Sequence, residues 1–134
     1  MAVFDWMEPA KEEVNSSSEF RKLGSVDIRL AFKSGKHCNL VHFHGFEVGD
    51  IKSLDPDLPF SEAEVMVEMS TRNWNSYMKQ RAIRTTHSLQ SVDVDKSIIS
   101  ASNPLKRRLF ERYQRSIQAF VDAGAQWNAR RANL

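Results

Sequence analysis

The chain has 134 residues, 41% of them hydrophobic and 27% charged. That length fits one domain and leaves little room for two, and the composition is globular, not disordered. Lys plus Arg number 19 against 17 Asp plus Glu, a net charge of +2, which is too even to announce a nucleic-acid partner.

Pro9 suits the first turn of a helix through Ala10-Lys11-Glu12-Glu13-Val14, whose acids sit where the macrodipole favours them. Ser16-Ser17-Ser18 interrupts it and offers a cap for a second short turn over residues 19–23, closed by Gly24. Beyond Gly24 the period changes to two. Val26, Ile28, Leu30 and Phe32 point one way and Asp27, Arg29 and Lys33 the other, as in a half-buried strand. Ser34-Gly35 signals a hairpin turn, so residues 37–46 pair back as a second strand. Residues 47–54 read as a third strand, and the close prolines Pro56 and Pro59 then exclude a ladder.

A second alternation places Ala63, Val65, Val67 and Met69 inward and Glu62, Glu64 and Glu68 outward. Ser70 or Thr71 caps a helix holding Trp74, Tyr77 and Met78. Residues 80–92 show no clear period. Asp93 and Asp95 fall in a turn or strand entry, as solvated acids, and Ile98, Ile99 and Ala101 suggest a short strand. Asn103 and Pro104 start the last helix. Phe110, Tyr113, Ile117, Phe120 and Val121 recur along it at helical steps until Gly124.

This order predicts an α+β domain: an antiparallel-rich sheet of about five strands with helices covering one face. The domain is expected over residues 1–125, with a frayed tail over 126–134. Cys38 is the only cysteine, so no intrachain disulfide and no cysteine-based zinc knuckle can form. No stretch has the length or apolarity of a signal peptide or a membrane span, and the default expectation is the cytoplasm.

Two segments carry a resemblance. One is Ala63-Glu64-Val65-Met66-Val67-Glu68-Met69-Ser70-Thr71-Arg72-Asn73-Trp74, a strand ending in a small polar residue before a helix with an aromatic one turn in. The other is Ile98-Ile99-Ser100-Ala101-Ser102-Asn103-Pro104-Leu105, a strand closing before the long helix. With the order of elements from Val26 to Phe120, the chain resembles the sterol-carrier-protein family, the type-two lipid-transfer fold. Ser102 and Lys79-Gln80 stand where that family usually has glycine, and the insert near 81–90 is longer.

The resemblance implies a tunnel between sheet and helices that takes lipids or other apolar molecules. Phe32, Val65, Val67, Trp74, Met78, Phe110, Tyr113 and Ile117 could line it. The same stripe also serves as the core of a closed domain. The expected function is therefore a non-catalytic carrier or binding module for an apolar small molecule or lipid. The alternative is an accessory subunit or interaction module of an enzyme complex, with the pocket closed. A third is a small pocket enzyme of the ketosteroid-isomerase type, a fold that ends in strands.

Polar constellations are few. His42 and His44 share one strand face, with Glu47 nearby, but the spacing to Glu47 is short for a metal site and no metal or cofactor is expected. No Gly-x-Ser-x-Gly elbow or glycine-rich phosphate loop exists. Lys106-Arg107-Arg108, with Arg112 and Arg115 beyond, opposes the dipole of the last helix. This run is a solvated face or an anion contact for an acidic head group or partner, placed at the mouth of the pocket.

Overall fold

Where the sequence alternates, the chain forms strands. The computed structural model describes residues 2–132. Helix α1 spans Met7–Asn15 and α2 Ser18–Arg21, followed by the strands β1 (Val26–Ser34), β2 (His37–Gly45) and β3 (Glu47–Ser53). After a 3-10 turn at Pro59–Ser61 come β4 (Val65–Glu68), α3 (Thr71–Ala82), α4 (Leu89–Lys96), β5 (Ile99–Ala101) and α5 (Pro104–Ala132). The sheet order is β3-β2-β1-β4-β5.

β1 occupies the middle, with its helix-facing residues Ile28, Leu30 and Phe32 fully buried, between the nine-residue β2 and the four-residue β4. It pairs antiparallel with β2 from Val26↔Gly45 to Ser34↔His37, and parallel with β4 from Leu30↔Val65 to Lys33↔Glu68. The remaining pairings are antiparallel, so the sheet is mixed and mostly antiparallel. Turns with left-handed glycines, Gly35 (φ 57°) and Gly45 (φ 65°), close the two hairpins. Between Val41 and Phe43 the β2–β3 register shifts at a bulge. There the backbone passes so close that a Cβ on Gly49 would lie 2.9 Å from the His42 carbonyl oxygen, so glycine is required.

Ile28, Leu30, Phe32, Val41, Phe43, Val65 and Val67 face the helices and have no exposed surface. α1, α3, α4 and α5 cover them in one core with Trp6, Trp74, Phe110 and Phe120. The opposite face carries its own small cluster of Ala31, Cys38, Leu40, Leu54, Ala63 and Met66. Ala63 thus belongs to the outer face, contrary to the inward position its alternation suggests, because β4 begins only at Val65.

Ser70 caps α3, its side chain accepting from the Asn73 N–H at 3.1 Å. The stretch without a clear period resolves into a loop and then α4, capped by Ser88 and ended by Ser97 in the left-handed region. Asp93 and Asp95 therefore sit on a helix, not in a turn or strand entry. Asp93 is not a free acid: its Oδ1 accepts from the Ile99 N–H at 2.7 Å, fixing the start of β5. Asn15, at the end of α1, exchanges two hydrogen bonds with the Val48 backbone and ties that helix to β3.

The last helix does not stop at Gly124. It continues to Ala132, so the residues from Gln126 to that point are helical where the sequence suggests fraying. Residues 133 and 134 lie outside the described residues. Gly124 is there for packing and not for termination, because Trp6 lies directly against it. Among the described residues no helix is long and apolar enough to cross a membrane.

Candidate functional site

The expected tunnel lining is largely solid core. Phe32, Val65, Val67, Trp74 and Ile117 are 0% exposed, Phe110 1% and Met78 2%. Phe32, Val65, Val67, Trp74 and Ile117 carry no accessible surface, so they border no space that admits a water molecule, while Met78 and Phe110 show only a sliver at the edge of the core. Tyr113 is only partly buried, at the edge of that core. Phe4 and Trp6 supply the filling. Phe4 meets the Trp74 ring edge-on at 5.5 Å, and Trp6 lies 6.1 Å from Phe32 and 5.4 Å from Phe120. The sequence reading assigns Phe4 and Trp6 no role. Their signal is an apolar pair two residues apart ahead of the first helix.

An open apolar space does exist, elsewhere. Between α3 and the C-terminal half of α5 runs a groove of about 600 Å³, within the range of small-molecule sites. Met78, Ala82, Ile83, Ala125 and Ala129 form its apolar walls, with Asn75, Lys79 and Asn128 as polar groups. The alanines leave the room: larger side chains at those steps would close α3 onto α5. Ile83 is 71% exposed, an apolar side chain left in water at the lip. Of the eight expected lining residues, only Met78 reaches this groove. Phe110 instead borders a separate recess of about 360 Å³ beside Leu23 and Gln118.

A polar network fixes the separation of the groove's two walls. Arg81 of α3 grips Asp122 of α5 with two hydrogen bonds, 2.7 and 3.1 Å. Gln118 donates to Asp122 at 2.8 Å and to the Tyr77 hydroxyl at 3.2 Å, while its own oxygen accepts from the Leu89 N–H at 2.8 Å. The Tyr77 hydroxyl in turn donates to the His87 carbonyl at 2.9 Å. The hydrogen bond to Asp122 raises the pKa of Arg81, and burial pushes that of Tyr77 up to about 12. Gln126 also donates to the Ala82 carbonyl at 2.9 Å. The groove is thus preformed and held by charge-assisted bonds.

The basic run stands far from it. Asn103 caps α5, accepting from the Lys106 N–H at 2.9 Å. Lys106 pairs with Glu64 at 2.7 Å and Arg107 with Asp93 at 2.8 Å, so two of the three cations are already matched. Arg108 is exposed. At 1.5 Å per residue, the groove residues Ala125 and Ala129 lie roughly 25–35 Å along α5 from Lys106–Arg108. The structure does not bring the basic run to the mouth of this groove.

The order of strands, the parallel β1–β4 pairing and the long closing helix define a sterol-carrier-type fold. Among solved structures the chain is similar to a conserved hypothetical protein of Thermus thermophilus, provisionally described as a sterol carrier protein. The TM-score is 0.58 at 14% identity, covering 90% of this chain and 85% of that one. It is also similar, at a TM-score of 0.48 and 12% identity, to a ubiquinone synthesis protein named UbiJ-SCP2, covering 90% and 88% of the two chains. No family model and no curated protein matches the sequence.

Proposed function

We propose that this chain is a non-catalytic binding or carrier module, acting in the cytoplasm, which holds an apolar small molecule or lipid between α3 and α5. The observation that carries this reading is the groove itself: preformed, alanine-lined, about 600 Å³, with Lys79 as its one ionisable lining residue among those described. A site with one cation and no acid–base pair suits holding and not turnover. The sterol-carrier-type fold supports the reading, although the space lies between α3 and α5 and not in the expected tunnel. The conical isomerase reading has no support from the fold, whose β3-β2-β1-β4-β5 sheet is of sterol-carrier type.

A second reading has its own support. The zero exposure of Phe32, Val65, Val67, Trp74 and Ile117 favours an accessory or interaction module with a closed interior, whose groove takes a partner's apolar side chains. Delipidated protein challenged with fatty acids, sterols and aromatic acids tests both. A carrier should bind at least one class at micromolar Kd and melt higher in its presence. Failure of the whole panel, with stoichiometric co-purification of a larger protein, would hand the function to the second reading.

A further inference from the structure

The outer face of the sheet holds a cluster that the apolar groove does not use. His42 and His44 stand two apart on β2, so both project from the same face. Asp27 on β1 is the register partner of His44, and its carboxylate approaches His42 Nε2 at 3.7 Å. One ligand atom from each of the three lies within 4.8 Å of the other two, and the imidazole centroids are 5.4 Å apart. From sequence the pair has only Glu47 as a third ligand, at an awkward spacing. The strand pairing supplies a better one, Asp27, 15 residues earlier in the chain.

We infer that Asp27, His42 and His44 form a binding site for a divalent late-transition-metal ion of the zinc class. Two imidazoles and a carboxylate are the donor set such ions take. Bonds of about 2.1 Å in tetrahedral geometry place ligand atoms about 3.4 Å apart, so the observed spacing needs side-chain rotation only. The backbone is already fixed: His44 and Asp27 sit in a continuous ladder, and the bulge at His42 is held by the close approach of Gly49. The three side chains are also uncommitted. Apart from the Asp27–His42 approach, no hydrogen bond among the described residues engages them, whereas Glu64, Asp93 and Asp122 are all firmly paired. His42 is 31% and Asp27 77% exposed at the side chain, so an ion can enter from solvent. Glu47 is the register partner of His44 on the other side. Its carboxylate is not among the ligand atoms gathered within 4.8 Å, so water completes the shell.

The test uses tag-free, chelator-stripped protein titrated with Zn²⁺ by calorimetry, with Co²⁺ as a spectroscopic probe. One equivalent of Zn²⁺ should bind in the micromolar range and raise the melting temperature, and Co²⁺ should show an absorption of tetrahedral type. His42→Ala and His44→Ala should each weaken binding roughly tenfold or more, and Asp27→Asn by less. His37→Ala and His87→Ala, which change imidazoles outside the cluster, should leave it alone. All four positions are at least partly exposed, and circular dichroism checks that each variant is folded. Absence of saturable uptake, or uptake that His42→Ala and His44→Ala do not reduce, overturns the site.

Discussion

Gly124 of α5 lies flat against the indole of Trp6: a Cβ at that position would fall 2.7 Å from Trp6 Cδ2 and closer still to the six-membered ring. This contact lets the N-terminal segment enter the core and lets α5 run unbroken across it. Trp6 cannot retreat, because Phe4, Phe32 and Phe120 surround it. In an exposed helix interior Gly→Ala gains about 1 kcal/mol. Here overpacking should win, at a net cost of about 1–3 kcal/mol. Gly124→Ala is expected to lower the melting temperature by several degrees, and a thermal melt beside the parent protein checks it. An unchanged or raised melting temperature would show that the N-terminal segment is free to move away.

Arg107 offers a second test, because the sequence treats it as one of three interchangeable surface cations. Its partner Asp93 is only 16% exposed at the side chain and also accepts the Ile99 N–H. Arg107→Met leaves that carboxylate half-paired. Removing one partner of a fully buried pair costs about 3–5 kcal/mol; partial exposure on both sides reduces the expectation to about 1–2 kcal/mol. Arg108→Met, on an exposed side chain, should cost about 0.5 kcal/mol or less. Urea unfolding of the two variants separates them. Equal stability would make the run a plain solvated face.

The contrast between those two arginines shows what the sequence carries and what it does not. Strand alternation at Val26–Phe32, the Ser34-Gly35 turn and the Asn103-Pro104 helix start are local signals, each decided by residues within a few positions. The sheet, its meander and the last helix were legible for that reason. Which cation meets which acid depends on chain crossings: Lys106 reaches Glu64 on the approach to β4, and Arg107 reaches α4. The interior closed for a similar reason. Phe4 and Trp6 fold back from the N-terminus into space that the helical stripe alone would leave open. Gly124, read as a stop, is a packing residue chosen by a tryptophan more than a hundred positions away. The groove depends on alanines at Ala82, Ala125 and Ala129, and small residues announce nothing in a hydrophobic pattern.

Glu64 ties stability to acid pH. Burial acts to raise its pKa, but the hydrogen bond from Lys106, the Arg29 backbone N–H and the charges of both residues together outweigh it, and the pKa is lowered. A carboxylate depressed on folding contributes stability above its unfolded pKa and loses it as pH falls through the folded value. Glu64→Gln should therefore cost stability at neutral pH, and the gap to the parent protein should shrink as pH drops below the ordinary carboxylate range. Urea midpoints at neutral and acid pH measure it. A gap that stays constant with pH would remove Glu64 from the ion pair.

The groove between α3 and α5 makes the sharpest demand on the carrier reading. A ligand burying about 300 Å² of apolar surface there gains about 7–8 kcal/mol before the costs of association. Those costs take several kcal/mol, so micromolar binding, about 8 kcal/mol net, needs a ligand that fills the groove and buries well over about 300 Å² of apolar surface. Ala129→Leu places a side chain in that space without touching the network of Arg81, Asp122 and Gln118, so the fold should hold its melting temperature within a degree or two. Affinity for any apolar ligand identified in the panel should fall more than tenfold. Tyr113→Leu, in the expected lining but away from the groove, should leave affinity unchanged. Lys79 is the cation positioned for an acidic head group, and an exposed pair of this kind is worth about 0–1 kcal/mol. Lys79→Gln should then reduce the preference for an acidic over a neutral ligand by up to about fivefold. Lys106→Gln, Arg107→Gln and Arg108→Gln combined should not. Calorimetry on matched acidic and neutral ligands reads both effects, and loss of binding with Tyr113→Leu but not Ala129→Leu would move the ligand from the groove into the core.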